Sequence, residues 1–111
     1  MKNKIIAVDF DGTLCANRYP DIGPANCWLI HRLKEEQETA GVKLILWTCR
    51  SGKLLENALN WCDSMGLTFD AVNENLPEII EAFGSDTRKI FAHEYIDDRS
   101  SDRFELPFEK M

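Results

Sequence analysis

Two carboxylates stand two positions apart in the stretch IIAVDFDGTLC, at Asp9 and Asp11, where a run of apolar residues ends. Elsewhere, apolar runs end near Thr48 and Arg50, near Asn73 and Asn75, and on the pair Asp97 and Asp98. Carboxylates crowded around one point repel each other unless a cation lies among them. Hard oxygen donors of this kind point to Mg²⁺, which shares its coordination shell with water and substrate phosphate.

These residues can cooperate only if the fold brings the ends of those runs together. KIIAVD (4–9) is a continuous apolar run, the pattern of a parallel strand covered on both faces. A loop rich in turn formers, GTLCANRYPDIGP, follows it. ANCWLIHRLKEEQETAG has helical spacing and a glycine stop, VKLILWT (42–48) reads as a second strand, and GKLLENALNWCDSMG as a second helix. FDAVNE is a short third strand, LPEIIEAFG a third helix, and a fourth strand is expected over 94–97. Alternating strands and helices predict an α/β fold with a parallel sheet, helices on its faces, and a ligand crevice at the carboxyl ends of the strands.

The 111 residues suit a single domain, 1–111, with a sizeable core. A formal charge of −6 argues against a nucleic-acid groove binder, which needs clustered Lys and Arg. The longest apolar run is too short to span a membrane, and MKNKIIAVDFDG turns acidic before a signal-peptide core can form. A cytoplasmic protein is expected. Cys15, Cys27, Cys49 and Cys62 lack zinc-site spacing and read as reduced thiols.

DFDGTL resembles the first motif (DxDxT) of the haloacid-dehalogenase (HAD)-like phosphohydrolases. LILWT, ending in Thr48, resembles the second motif, Lys89 the third, and YIDD the fourth, in the family's order. The resemblance implies a three-layer α/β/α Rossmann-like parallel sheet, an HAD-like core without a cap domain. It also implies a Mg²⁺-dependent phosphatase in which Asp9 attacks phosphorus and Asp11 exchanges protons with the leaving group and then with water. Thr48 would hydrogen-bond a phosphoryl oxygen, and Lys89 would neutralise charge on the nucleophile and the transferring group. The metal would be held by Asp9, the backbone carbonyl of Asp11 and one fourth-motif carboxylate. Asp98 is favoured for that place, with Asp97 supporting the water shell or Lys89. The third motif here lacks the proline that often follows its lysine, and Arg88 competes with Lys89. Candidate substrate contacts are Gly12, Thr13, Cys49, Arg50, Arg18 and Asn73.

Other readings of the same residues differ in weight. Asp-Gly is also a turn dipeptide, but the later motifs in register favour chemistry for Asp9 and Asp11. Cys49 followed by Arg50 lacks the arginine several residues later that a thiol phosphatase needs, since position 55 is Leu, and SGK lacks the upstream glycine of a P-loop. Arg50 is equally a surface side chain or a phosphate ligand, and Asn73 and Asn75 equally substrate contacts or turn residues. His31 and His93 read as structural. Trp28, Trp47 and Trp61 read as core.

About thirty-four residues lie between Thr13 and Thr48, room for a helix and a strand but not for a cap. CANRYPDIGPANC is expected to be a short flap, with Arg18 and Tyr19 reading the substrate. The favoured substrate is a small phosphorylated metabolite, a sugar phosphate or a nucleotide, with a second copy of the chain covering the open site. Alternatives are a phosphoprotein or polynucleotide end, or a non-enzymatic phospho-acceptor module. The acidic chain makes nucleic acid the weaker partner, and no membrane partner is expected.

Overall fold

Residues 3–97 are described in a computed structural model. β1 (Ile5–Val8) is buried at all four positions, as a strand covered on both faces must be. Its side chains alternate between two cores. Ile6 and Val8 face Leu29, Leu33, Ala58 and Cys62, whereas Ile5 and Ala7 face Leu76, Ile79 and Ile90. The first group comes from α1 (Cys27–Ala40) and α2 (Gly52–Ser64), while Ile79 comes from α3 (Pro77–Phe83). The result is a three-layer α/β/α arrangement of the Rossmann-like kind.

β1 pairs in parallel with β4 (Lys43–Leu46) on one side and β6 (Glu94–Ile96) on the other, and β4 pairs with the two-residue β5 (Ala71–Val72). The strand order is β5-β4-β1-β6. From β1 the chain builds outward through β4 to β5, then returns to place β6 on the opposite flank of β1. The order therefore reverses between β1 and β6, and ligands of open α/β sheets bind where it does. Asp9 and Asp97 immediately follow those two strands.

The loop after β1 is fixed from below. Phe10 O accepts from the N–H groups of Thr13, Leu14 and Cys15, and Gly12 turns the chain at φ 84°. Asn26 Nδ2 donates to Thr13 O at 3.1 Å, and its Oδ1 caps α1 by accepting from Leu29 N–H at 3.2 Å. One buried amide thus ties the loop to the first helix; losing such a cap costs about 1 kcal/mol.

The segment expected to be a loop contains an antiparallel hairpin, β2 (Cys15–Arg18) and β3 (Asp21–Ala25). Its polar tip, Gly23 and two prolines give it the composition of a turn. Gly23 is needed for the pairing, because a Cβ there would lie 2.3 Å from Ala16 O. The expected third strand shrinks to two residues, since only Ala71 and Val72 reach a partner in β4. Trp61 packs edge-on against Phe10, with ring centroids 5.5 Å apart. The core assignment fails for Trp28 and Trp47, which are 55% and 39% exposed. Trp28 opens a helix on its outer side, and Trp47 lies one residue past the last paired position of β4.

Candidate active site

The end of β1 is hydrogen-bonded to both neighbours: Asp9 N–H donates to Ile96 O and Trp47 N–H to Val8 O, each at 2.9 Å. These bonds align the residues that leave β1, β4 and β6. A cavity of about 510 Å³ opens there, lined by Asp9, Asp11, Asn17, Tyr19, Trp47, Thr48, Cys49 and Asp97. Four of the residues singled out for phosphoryl chemistry or metal binding, namely Asp9, Asp11, Thr48 and Asp97, share this cavity. Asp98 lies outside the described residues.

Asp11 is held by a partner that the sequence does not name. Arg50 Nε donates to one Asp11 carboxylate oxygen and Nη2 to the other, both at 2.8 Å. Nη2 also donates to Asp21 O at 2.9 Å, and Nη1 to Leu54 O at 3.3 Å. The guanidinium lies 5.0 Å from the Phe10 ring centroid and 5.2 Å from that of Tyr19, an arrangement that suits cation–π attraction. Its hydrogen bonds to Asp11 raise the Arg50 pKa further above its ordinary value, against the opposing effect of burial. Arg50 is thus neither a surface residue nor an open phosphate ligand. It is a buried cation joining the Asp11 loop, the hairpin and α2.

Thr48 is positioned by hydrogen bonds at both ends. Its N–H donates to Asn73 Oδ1 at 2.8 Å, and its hydroxyl accepts from Arg50 N–H at 3.1 Å. Asn73, with a positive φ of 56°, therefore acts through Thr48 and is not among the residues that line the cavity. Gly12 and Thr13, within the loop after β1, are buried. Arg18 is exposed on the hairpin and donates to Asn17 O. Cys49 is exposed and faces the cavity.

Lys89 is also exposed, but it lines a different cavity, with Phe83, Thr87, Ile90, Phe91, Ala92 and Tyr95. The loop that carries it is pinned by buried Asn75. The Nδ2 of Asn75 donates to Asp86 Oδ1 at 2.8 Å, and its Oδ1 accepts from Phe91 N–H at 2.7 Å. Asn75 is therefore a structural staple. His93 is structural as well: its Nδ1 accepts from Ile5 N–H at 2.9 Å.

The cavity's carboxylates come from Asp9, Asp11 and Asp97, hard oxygens that suit a small divalent cation. The carboxylates of Asp9 and Asp97 and main-chain oxygens are donors that suit it, while the Asp11 carboxylate is engaged by Arg50. Among the described residues, no group of three or more His, Cys, Asp or Glu side chains is gathered closely enough to hold a metal by itself. Water and substrate oxygens would complete such a shell, as Mg²⁺ generally requires.

No family model matches the chain, and no curated protein matches it. Among solved structures it is similar to a conserved protein from Bacteroides thetaiotaomicron. The two are 43% identical over 88% of this chain and 78% of that one, with a TM-score of 0.77. The chain belongs to the same family as that protein. The likeness extends over most of both chains, so the sheet that sets out the cavity is a frame this family shares. Among the described residues, no helix is long and apolar enough to cross a membrane.

Sequence reasoning missed Asn17 and Trp47 as cavity residues. The signal for Trp47 was present, because it falls at the carboxyl end of a strand, directly before Thr48. Asn17 carried none, since its place depends on a hairpin that the composition conceals.

Proposed function

We propose that this protein is a Mg²⁺-dependent phosphomonoesterase of the HAD type, acting through an aspartyl-phosphate on a small phosphorylated metabolite, a sugar phosphate or a nucleotide. The observation that carries this reading is the meeting of Asp9, Asp11, Thr48 and Asp97 in one cavity at the strand-order reversal. The resemblance of DFDGTL, LILWT and YIDD to the family's motifs points the same way.

In the first step, an Asp9 carboxylate oxygen forms a bond to phosphorus as the bond to the leaving oxygen breaks, and Asp11 delivers a proton to that oxygen. In the second, Asp11 takes a proton from water, which attacks the phosphorus and returns Asp9 as a carboxylate. Arg50 holds both Asp11 oxygens from the protein side, using two of roughly four lone-pair sites. The remaining sites serve proton exchange while the carboxylate keeps a fixed orientation.

The Thr48 hydroxyl accepts from Arg50 N–H and so keeps its own hydrogen for a phosphoryl oxygen. A divalent cation, held by Asp9, a fourth-motif carboxylate and the Asp11 carbonyl, would offset the charge of phosphate beside these acids. Lys89, on the separate cavity, is not given a role in either step.

Phosphate release from an aryl phosphate, with Mg²⁺ and with EDTA, tests the reading when wild type is compared with Asp9→Asn. Turnover that needs both Mg²⁺ and Asp9 is expected. Equal turnover by Asp9→Asn would refute the nucleophile assignment.

A further inference from the structure

The carboxylates and Thr48 account for the phosphoryl end of the cavity but not for its walls. Two of those walls are aromatic and come from different elements: Tyr19 at the hairpin tip and Trp47 after β4. Both are substantially exposed, at 57% and 39%. Both rings are also held from behind. Tyr19 is the outer layer of a stack whose middle is the buried Arg50 guanidinium and whose base is Phe10. The Trp47 ring leans on Tyr95, with centroids 5.6 Å apart at 54°, and its backbone is bonded to β1. Rings fixed in this way lose little freedom when a flat ligand stacks on them.

The rest of the lining narrows the ligand. Among the described residues, none that lines the cavity is cationic, so a second phosphate would meet only carboxylates and neutral groups. A hexose would need several hydroxyl partners. Beyond the acids and Thr48, the hydrogen-bonding side chains available are Asn17, Cys49, the Tyr19 hydroxyl and the Trp47 indole N–H. The Asn17 side-chain oxygen Oδ1 already accepts from Tyr19 N–H at 3.2 Å. At about 510 Å³ the cavity falls within the range of sites for drug-sized ligands, which is more than a phosphate needs.

We propose that Tyr19 and Trp47 form an aromatic clamp that selects phosphomonoesters whose leaving group carries a planar heteroaromatic ring, in chemical class nucleoside monophosphates. This rests on the phosphomonoesterase reading for the chemistry, but the stacking surface can be tested apart from it. Stacking of a base on an aromatic side chain changes binding by about 5- to 160-fold.

The test uses the full chain with Mg²⁺ and compares adenosine monophosphate with glucose 6-phosphate. A kcat/KM ratio of about 10 or more in favour of the nucleotide is expected. Trp47→Leu should bring that ratio towards one through KM. Tyr19→Leu, checked for folding because Tyr19 covers Arg50, should act in the same direction.

In parallel, adenosine, which has no phosphate to hydrolyse, should quench tryptophan fluorescence saturably in wild type and fail to do so in Trp47→Leu. Adenosine binding without turnover of any phosphomonoester would uphold the clamp and refute the hydrolase. Turnover of glucose 6-phosphate equal to or faster than that of the nucleotide, with no adenosine binding up to its solubility, would overturn the clamp and leave the hydrolase standing.

Discussion

Replacing Arg50 with methionine tests how firmly Asp11, the proposed acid–base residue, is held. Methionine keeps a flexible apolar stem between Phe10 and Tyr19 while removing every polar contact of the guanidinium. The Arg50 side chain is 1% exposed and that of Asp11 16%, so the pair lies almost wholly out of water. Breaking a buried pair by removing one partner costs about 3–5 kcal/mol, chiefly because the other charge is left uncompensated. Asp11 borders the cavity and can regain some hydration, which places the expected loss near the lower end, about 3 kcal/mol. For a domain of this size that corresponds to a fall in melting temperature of about 10–20 °C.

Denaturant titration and thermal unfolding of wild type, Arg50→Met, Asp11→Asn and the double variant would measure it. The two single losses should exceed the loss in the double variant by about 1–3 kcal/mol, since removing either partner removes the same interaction. Arg50→Lys should recover little, because a point charge cannot reproduce a fork that meets two carboxylate oxygens. Arg50→Met within about 0.5 kcal/mol of wild type, the range of ordinary surface changes, would refute the clamp on Asp11.

Burial would raise the Glu94 carboxyl, but hydrogen bonds from Lys4 and Arg32 outweigh it and hold the group below its ordinary value. The stabilisation it contributes is therefore complete above the ordinary glutamate range and is lost as pH falls through the lower folded value. A plot of melting temperature against pH should be shallower on the acid side for Glu94→Gln, and identical slopes would count against this. Burial pushes the Cys15 thiol up to about 11 and the Cys62 thiol up to about 12, whereas Cys27 and Cys49 are exposed. A thiol reagent at neutral pH should titrate two cysteines in the folded protein and four in denaturant; four rapid reactions in the native state would contradict the buried placement. Because the unfolded thiols lose protons nearer 9, stability should also decline as pH rises beyond that value.

The sheet was legible because its signals are local. β1 is apolar at every position, a pattern that only burial on both faces explains, and the helices close on Gly41 and Gly84, both in left-handed conformation. Thr48 and the Asp9–Asp11 pair were legible for the same reason, since they sit at the ends of runs whose direction the parallel sheet dictates. Arg50 was not, because its role depends on a carboxylate 39 residues away. Asn75 was equally hidden: buried, with hydrogen bonds to Asp86, Thr87 and Phe91, it looks in sequence like any turn asparagine. Lys89 shows the opposite case, where the family resemblance assigns it to the site and the pinned loop carries it to the lining of another cavity.

The hairpin and Arg50 together account for how so short a chain can build a walled site. Tyr19 and Asn17 reach the cavity only because the hairpin crosses the end of the sheet, and a two-stranded ribbon is marginal by itself. Its attachment includes the Arg50 hydrogen bond to Asp21 O and the stacking of Tyr19 on the guanidinium. The same guanidinium holds both oxygens of Asp11. Orientation of the Asp11 carboxylate, the proposed acid–base group, and placement of the aromatic wall therefore depend on one side chain. Disturbing the hairpin tip should alter proton transfer as well as binding, whereas a wall built independently of Asp11 would affect binding alone.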